Sequence, residues 1–499
     1  MKYHLLTYGC QMNKNDSERI AGLLLDIGYE ESPKYEDADL IILNTCSVRQ
    51  SAEDRVYGMM KNFVKLKEKN PDLIIVVTGC MAGRDKDGKI QKRLPDVDIF
   101  LPTEDLVRLP DILAQRLSPP RKGEAVESSR ERGDSPAFAG SPGEKIYSHS
   151  AVSSWSNDNP PLRKEGGGSS PFQKGRAGEG FYNLVPKYSS PSQAFITIQT
   201  GCEEYCTYCV VPYARGKIKN RPLAEILREI KSAVSGGAVE ITLLGQIVNA
   251  WHVRDGDCFT SDNPSANSCE LADDNADDFA AMLWEINQIS GIKRLNFVSA
   301  HPRYMTDGVI EAMRLPAHLN YLHLPVQSGS DKILQKMNRR YTAEEYLEII
   351  KKIRDAKPQI ALATDIIVGF PGETEKDFED TIELYKKCDF DIAYLAKYSP
   401  RSGTPAFKAL KDDVPHDEKE RRWRVLQNLM EETALRKNQK YLGREVEVLV
   451  ESCRDGKCAG NSREMKRVVF PGGESLIGQI VKVKISEAKE WELEGDAAH

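Results

Sequence analysis

Cysteine is sparse in this chain, eleven in 499 residues, too few for a disulfide scaffold. In a reducing compartment, cysteines that cluster serve metals or catalysis more often than bridges. No run of about 18 apolar residues occurs, so no transmembrane helix and no membrane partner are expected. The opening MKYHLLTYGC has no apolar stretch behind a basic start, so no signal peptide is expected either, and the protein is read as cytoplasmic. Positive charge is not in excess: 69 Lys and Arg stand against 75 Asp and Glu, a net charge of −6. A nucleic-acid partner would therefore need a local basic surface.

A chain of this length should hold roughly two to four units. The first ~115 residues alternate short apolar runs (His4 to Thr7, Leu40 to Leu43, Leu73 to Val77, Ile99 to Leu101) with helix-like stretches at Ser17 to Ile27 and Val56 to Lys69; this is the rhythm of a parallel α/β sheet. From about Pro119 to Lys187 the composition turns to Ser, Gly, Pro and charge, with too few apolar residues to offset the entropy of ordering, so residues 118–190 are expected to form a disordered linker. Strand-like runs then recur at Ala194, Val239, Arg294, Tyr321, Ile360 and Ile392, with helical stretches between them. Six βα units predict a partial, TIM-like barrel over 191–436. The stretch 252–277, rich in Asn, Asp and Ser, reads as a surface insertion. A charged helix over Asp417 to Lys440 leads into a β-rich module, placed at 437–499.

Two sets of cysteines carry chemistry. Cys202-x3-Cys206-x2-Cys209 follows the run AFITIQT, placing three thiolates at the C-terminal edge of a barrel strand, where barrel active sites lie. A 4Fe-4S cube with three protein ligands keeps one iron free for an exogenous ligand. A structural zinc site is the alternative, but it would be closed by a fourth Cys or His, and none lies nearby in the loop. Cys10, Cys46 and Cys80 are far apart in sequence, yet each ends a predicted strand (LLTYGC, IILNTC, VVTGC). Parallel strands put those ends on one sheet edge, so the three could converge, although free cysteines are also often simply buried.

The segment GCEEYCTYCVVPYARG resembles the radical S-adenosylmethionine (SAM) signature. The segments TYGCQMNKNDSE, NTCSVR and TGCMA resemble the amino-terminal domain of the methylthiotransferases, within them the MiaB type. The resemblance implies two 4Fe-4S clusters, one held by Cys202, Cys206 and Cys209 with SAM on its open iron, the other an auxiliary cluster on Cys10, Cys46 and Cys80 that carries the transferred sulfur. It extends to EITLLGQ, HLPVQSGSD, MNRRYT, DIIVGFPGETE and YSPRSGTPA, which would set Gln246, Gln327, Ser328, Gly369 and Gly372 near SAM; glycines let the backbone approach a ligand closely. Arg215, Arg221, His301, Arg303, Arg339 and Arg340 also sit near strand or loop ends, where they could meet phosphate or substrate or form structural ion pairs.

The last module resembles a TRAM domain, an RNA-binding small β-barrel; from Lys437 to Lys484 ten basic residues stand against six acidic ones. The family's implied activity is methylthiolation of N6-isopentenyladenosine next to a tRNA anticodon, with two SAM consumed. Implied with it are a tRNA anticodon stem-loop as partner, an electron donor such as flavodoxin or ferredoxin, an unspecified sulfur donor and a monomeric state. Sister branches act on threonylcarbamoyladenosine or on a ribosomal-protein aspartate; a non-catalytic iron-sulfur RNA-binding protein is the reading from a different class. The chain departs from the family pattern at Ile247, where relatives carry Asn, and in the long linker. Cys258, Cys269, Cys388, Cys453 and Cys458 match no family motif.

Overall fold

The computed structural model describes residues 1–48, 50–117, 180–253 and 277–497. Most of the expected linker (118–179) and insertion (254–276), with Cys258 and Cys269, lies outside the described residues.

The amino-terminal unit is a five-stranded, wholly parallel sheet in the order β2-β1-β3-β4-β5. The strands are β1 (Lys2–Tyr8), β2 (Glu30–Glu31), β3 (Leu40–Thr45), β4 (Ile74–Gly79) and β5 (Ile99–Leu101). Helices α1 (Gln11–Asp26), α2 (Gln50–Lys69), α3 (Cys80–Arg84), α4 (Lys89–Lys92) and α5 (Leu109–Leu117) complete it. The central β3 and β4 are buried along their whole length, as continuous apolar runs covered on both faces should be. The first two helices begin six residues earlier than the apolar period suggests. For α1 the cause is that Asn13, Asn15 and Asp16 are fully buried yet polar, so hydrophobic periodicity does not see them.

Residues 180–184, expected within the linker, pack instead: Phe181 is fully buried in the amino-terminal core, and Arg19 Nη1 donates to the carbonyls of Tyr182 and Leu184 at 2.9 and 2.7 Å. One aromatic anchor and a buried guanidinium overcome a polar composition.

The second unit contains β6 (Gln193–Thr197), the short ribbon β7 (Gln199–Thr200) and β8 (Lys219–Asn220), then α6 (Val211–Arg215), α7 (Leu223–Ser235), β9 (Glu240–Leu244), α8 (Asp278–Asn287), β10 (Arg294–Phe297), α9 (Asp307–Ala312), β11 (Tyr321–His323), α10 (Asp331–Lys336), α11 (Ala343–Ala356), β12 (Ala361–Val368), α12 (Glu375–Cys388) and β13 (Ile392–Lys397). Its strands form two parallel halves, β6-β9-β10 and β11-β12-β13, joined by a bridge between Leu295 and His318. The result is an open, six-stranded partial barrel. Its free edge at β6 is capped by α1, where Asn15 donates to the Phe195 carbonyl at 2.8 Å and accepts from Thr197 Oγ1 at 2.8 Å. A sheet edge is seldom left bare.

After α13 (Pro405–Ala409), the long α14 (His416–Asn438) packs on β13 and leads into a closed five-stranded barrel, β14 (Glu445–Arg454), β15 (Lys457–Ser462), β16 (Arg467–Pro471), β17 (Ile480–Ala488) and β18 (Leu493–Ala497). Cys453 and Cys458, left without a role by the sequence, face each other across the β14–β15 hairpin as a disulfide. This barrel docks on the strand starts of the central unit. Arg294, fully buried, donates to Glu240 at 2.6 Å and to the Ser462 carbonyl at 2.9 Å.

A buried ion pair broken on one side leaves an uncompensated charge. Glu240→Ala is therefore expected to destabilise this junction by about 3–5 kcal/mol in urea denaturation, with most of the loss recovered in Glu240→Leu/Arg294→Met. A change below about 0.5 kcal/mol for the single variant would show that the pair does not bear on stability.

Candidate active site

Register places the first three cysteines. Tyr8 pairs with Thr45 and Thr45 with Gly79, so the ends of β1, β3 and β4 lie side by side, and Cys10, Cys46 and Cys80 leave the sheet at one edge. Gly79 takes φ +90°, and a Cβ there would strike Asn44 and Thr45; only glycine turns the chain from β4 into α3 at this point. Cys10 is the N-cap residue of α1, and Cys46 Sγ accepts from the Val48 amide at 3.3 Å. Hydrogen bonding from Cys46 pulls the Cys10 thiol down to about 6, while the same bond and then burial push Cys46 up. Burial pushes Cys80 up as well, against the nearby Arg215.

The second set sits on the loop after β7. Cys202 and Cys206 are buried and Cys209 half-buried. The loop is held from three sides: the Cys202 amide donates to Gly216, Thr207 donates through its amide to Met337 and through its hydroxyl to Lys336, and the Ala406 amide donates to Thr207. Burial pushes Cys202 up to about 11, and Cys209 further in the same direction. Two donors face the sulfurs, Arg339 Nη1 to Cys206 at 3.4 Å and the Val211 amide to Cys209 at 3.4 Å.

The two sets meet through Arg215. From the end of α6 its Nε reaches Cys80 Sγ at 3.2 Å, and its Nη2 reaches Asp16 of α1 at 2.5 Å, with both charged side chains buried. Gly83 of α3 lies so close to the Ala214 carbonyl that any Cβ would overlap it. Next to this contact, Val48 and Gln50 of the amino-terminal unit and Tyr208, Cys209, Gln327, Tyr394 and Arg401 of the partial barrel share the wall of a cavity of about 770 Å³. Deeper in that wall His323 Nε2 stands 2.8 Å from Asp365. Among the described residues no group of three His, Cys, Asp or Glu side chains is placed to hold a single metal ion.

The other sequence-derived candidates divide. Gln327, at φ +73°, lines the cavity, and Gln246 Oε1 is buried with no hydrogen-bond partner among the described residues. The Ser328 hydroxyl is taken up by Thr381 and the Ser330 amide. Gly369 and Gly372 sit at φ +69° and +76°, a backbone that strains any side chain, and Lys419 and Lys336 lie where a Cβ would be. Arg221 is structural, paired with Glu229 at 2.7 Å and bonded to the Thr197 carbonyl. Arg303 stays half-exposed, 3.9 Å from Glu204, and Arg340 is exposed. Buried His301 is pushed down to about 2 by burial and then by Arg339. It is therefore neutral, and because its Nδ1 accepts from the Arg303 amide at 3.2 Å, its proton sits on Nε2, a buried donor with no partner among the described residues.

The basic surface of the last module is smaller than its composition suggests. Lys437 and Lys466 both grip Asp391, Arg463 donates to the Pro316 and His318 carbonyls, and Arg467 pairs with Glu451. Lys440, Arg444, Arg454, Lys457, Lys482 and Lys484 stay exposed.

In metal-free protein at pH 7, exposed Cys10 should be alkylated by iodoacetamide about tenfold faster than buried Cys46 and Cys80, since the thiolate is the nucleophile. Peptide mass spectrometry reads the order, and uniform labelling would contradict the geometry.

Residues 2–102 match the model described as Uncharacterized protein family UPF0004, residues 196–385 that of the Radical SAM superfamily, and residues 439–498 the TRAM domain. Among solved structures, the radical SAM methyltransferase TsrM from Kitasatospora setae, with cobalamin and a [4Fe-4S] cluster bound, is similar in fold: TM-score 0.50 at 12% identity, over 81% of this chain and 74% of that one. The tRNA-2-methylthio-N(6)-dimethylallyladenosine synthase of Carboxydothermus hydrogenoformans is 40% identical, over 99% of this chain and 98% of its own length. Those of Clostridium novyi and Moorella thermoacetica are 38% and 37% identical, each over 99% of this chain and over 96% and 98% of their own lengths. The chain belongs to the tRNA-2-methylthio-N(6)-dimethylallyladenosine synthases, the MiaB-type branch of the radical SAM methylthiotransferases.

Proposed function

We propose that this protein converts N6-isopentenyladenosine at position 37 of tRNA, beside the anticodon, to its 2-methylthio derivative, using two SAM molecules and two 4Fe-4S clusters. One observation carries the reading: Arg215, at the end of the helix α6 that follows Cys209, donates to Cys80, so the segment that carries one cysteine set packs against the other. Cys202, Cys206 and Cys209 would hold the cluster that binds SAM, and Cys10, Cys46 and Cys80 the auxiliary one.

The residues present suit such groups. Both sets consist of free thiols, and both carry N–H donors to sulfur, from Arg339 and Val211 on one side and Arg215 and Val48 on the other. Outer hydrogen bonds of this kind orient cluster ligands and tune the group they hold. When bound, the clusters and SAM supply the 5′-deoxyadenosyl radical and the sulfur that is methylated and inserted. For its part, the protein offers unpartnered Gln246 Oε1, Glu204 Oε2 and His301 Nε2 to polar ligand atoms, since a buried polar atom without a partner favours one that supplies it. Arg401 and Arg84 tie the loop after β13 to the amino-terminal unit through Val48, Gln50 and Ser402, which keeps the reacting space closed on that side. Tyr394, 45% exposed inside the cavity wall, gives an unstacked base a face to lie on.

The third unit, a TRAM domain, belongs to an RNA-binding module type, and an anticodon loop is where a base can be splayed out and reached. We place the functional divisions at 1–117, 191–436 and 437–499, with the segment 118–190 joining the first two and its residues 180–184 packed on the amino-terminal unit. The protein works as a cytoplasmic monomer, reduced by a flavodoxin- or ferredoxin-type donor. Among the described residues no helix is long and apolar enough to cross a membrane.

Nucleoside mass spectrometry of tRNA from cells without this protein is the test. The 2-methylthio-N6-isopentenyl nucleoside should disappear and its unthiolated precursor accumulate. Unchanged nucleosides, or loss of a threonylcarbamoyl derivative instead, would overturn the assignment.

A further inference from the structure

A second depression, of about 1110 Å³, runs between α3–α4 of the amino-terminal unit and a barrel wall formed by Tyr213 of α6, Ser402 of the loop after β13 and Lys408 of α13. It adjoins the cavity described above, because Val210, the residue after Cys209, lines both. Its charge is strongly one-sided in a chain whose net charge is −6. The acidic groups within it are already engaged: Asp85 accepts from the Ile90 and Gln91 amides at 2.9 and 2.8 Å, and Asp87 pairs with Lys89 at 2.8 Å. Arg84 is matched by Glu53 at 2.8 Å. Four exposed cations are left over, Lys86, Lys92 and Arg93 on the amino-terminal wall and Lys408 on the barrel wall. None of the four has an ion pair among the described residues, and exposed Arg93 lies 4.4 Å over the Tyr57 ring.

We propose that this groove is a track for the phosphate backbone of the RNA strand whose base enters the cavity beside Cys209. The proposal rests on the tRNA reading above and assigns the strand a path that the TRAM unit does not supply. That unit has turned Lys437, Arg463 and Lys466 toward the central unit to dock, and it meets the central unit at the strand starts, near Arg294 and Glu240. The cysteines lie at the opposite ends of those strands. A β-strand advances about 3.3 Å per residue, so an RNA anchored on the TRAM unit alone is a strand length away from the chemistry. Extruding one base from a loop requires the phosphates on either side of it to be held, and unpaired cations beside the cavity do that. Cations on both walls of a concave channel fit a polyanionic strand lying in it. An acidic globular partner would present a convex face and reach only the rims.

The test is binding of an anticodon stem-loop RNA bearing isopentenyladenosine to anaerobically reconstituted full-length protein, by fluorescence anisotropy between about 50 and 200 mM salt. The variant Lys86→Gln/Lys92→Gln/Lys408→Gln is compared with Lys231→Gln/Lys351→Gln/Lys386→Gln, which removes the same charge from exposed positions on α7, α11 and α12. All six lysines are exposed, so neither variant removes packing. The groove variant should bind about tenfold more weakly and lower the slope of log K against log salt by about two to three, at close to one per lost phosphate contact. The control should stay within about twofold of wild type. Equal losses in both variants, or none in the groove variant, would overturn the proposal. So would intact RNA binding with slowed reduction by flavodoxin, which would assign the groove to an acidic protein. Failure of the wild type to bind the RNA at all would overturn the tRNA reading along with it.

Discussion

A buried guanidinium joins the two halves of the reacting site at the cysteines. Arg215 is buried between Asp16 of α1 and Cys80 at the head of α3, and its own loop carries Cys202, Cys206 and Cys209. Burying a charge costs several kcal/mol unless it is matched. Here the match comes from the other unit, so the amino-terminal sheet and the partial barrel satisfy each other or neither is satisfied. The seam is correspondingly tight, with Gly83 against the Ala214 carbonyl and Asn15 bridging to Phe195 and Thr197. The hydrogen bond that fixes Arg215 also points a positive N–H at sulfur, so the group that joins the units is placed to tune whatever Cys80 holds.

Charge elsewhere follows the same logic of matching at the joints and leaving cations free where a partner is needed. Asp391 illustrates the joints. Burial raises its carboxyl, but Lys466 and Lys437 at 2.9 and 2.8 Å outweigh that and hold it below the usual carboxylate range. These contacts, with Arg294 and Glu240, fasten the small barrel to the strand starts. The opposite, cysteine-bearing end keeps unpaired lysines on both sides of a groove. A charge count along the sequence cannot separate the two uses, because Lys466 and Lys86 look alike until their neighbours are known.

Much of the plan was legible in the chain. The parallel amino-terminal sheet, the six-stranded partial barrel and the β-rich end followed from apolar runs and their spacing, since β3 and β4 are buried runs and the barrel strands recur at βα intervals. Convergence of Cys10, Cys46 and Cys80 followed from placing each at a strand end, because parallel register brings such ends together. What escaped was carried by buried polar groups. Asn15 and Asp16 extend α1 upstream and face a second unit, and nothing in hydrophobic periodicity marks them. Ser328, Gly369 and Gly372 read as ligand neighbours, and in the fold they also touch Thr381, Lys419 and Lys336, contacts distant in sequence. Two aromatic residues, Phe181 and Tyr182, ordered a stretch whose composition looked like linker.

The central claim is that two separate cysteine sets, joined through Arg215, each hold a cluster of four irons. Iron and sulfide analysis of anaerobically reconstituted protein addresses it most directly, comparing wild type with Cys10→Ala/Cys46→Ala/Cys80→Ala and with Cys202→Ala/Cys206→Ala/Cys209→Ala. About eight irons in the wild type and about four in each triple variant are predicted; about four in the wild type, with all of it lost in one variant and none in the other, would contradict the two-cluster site.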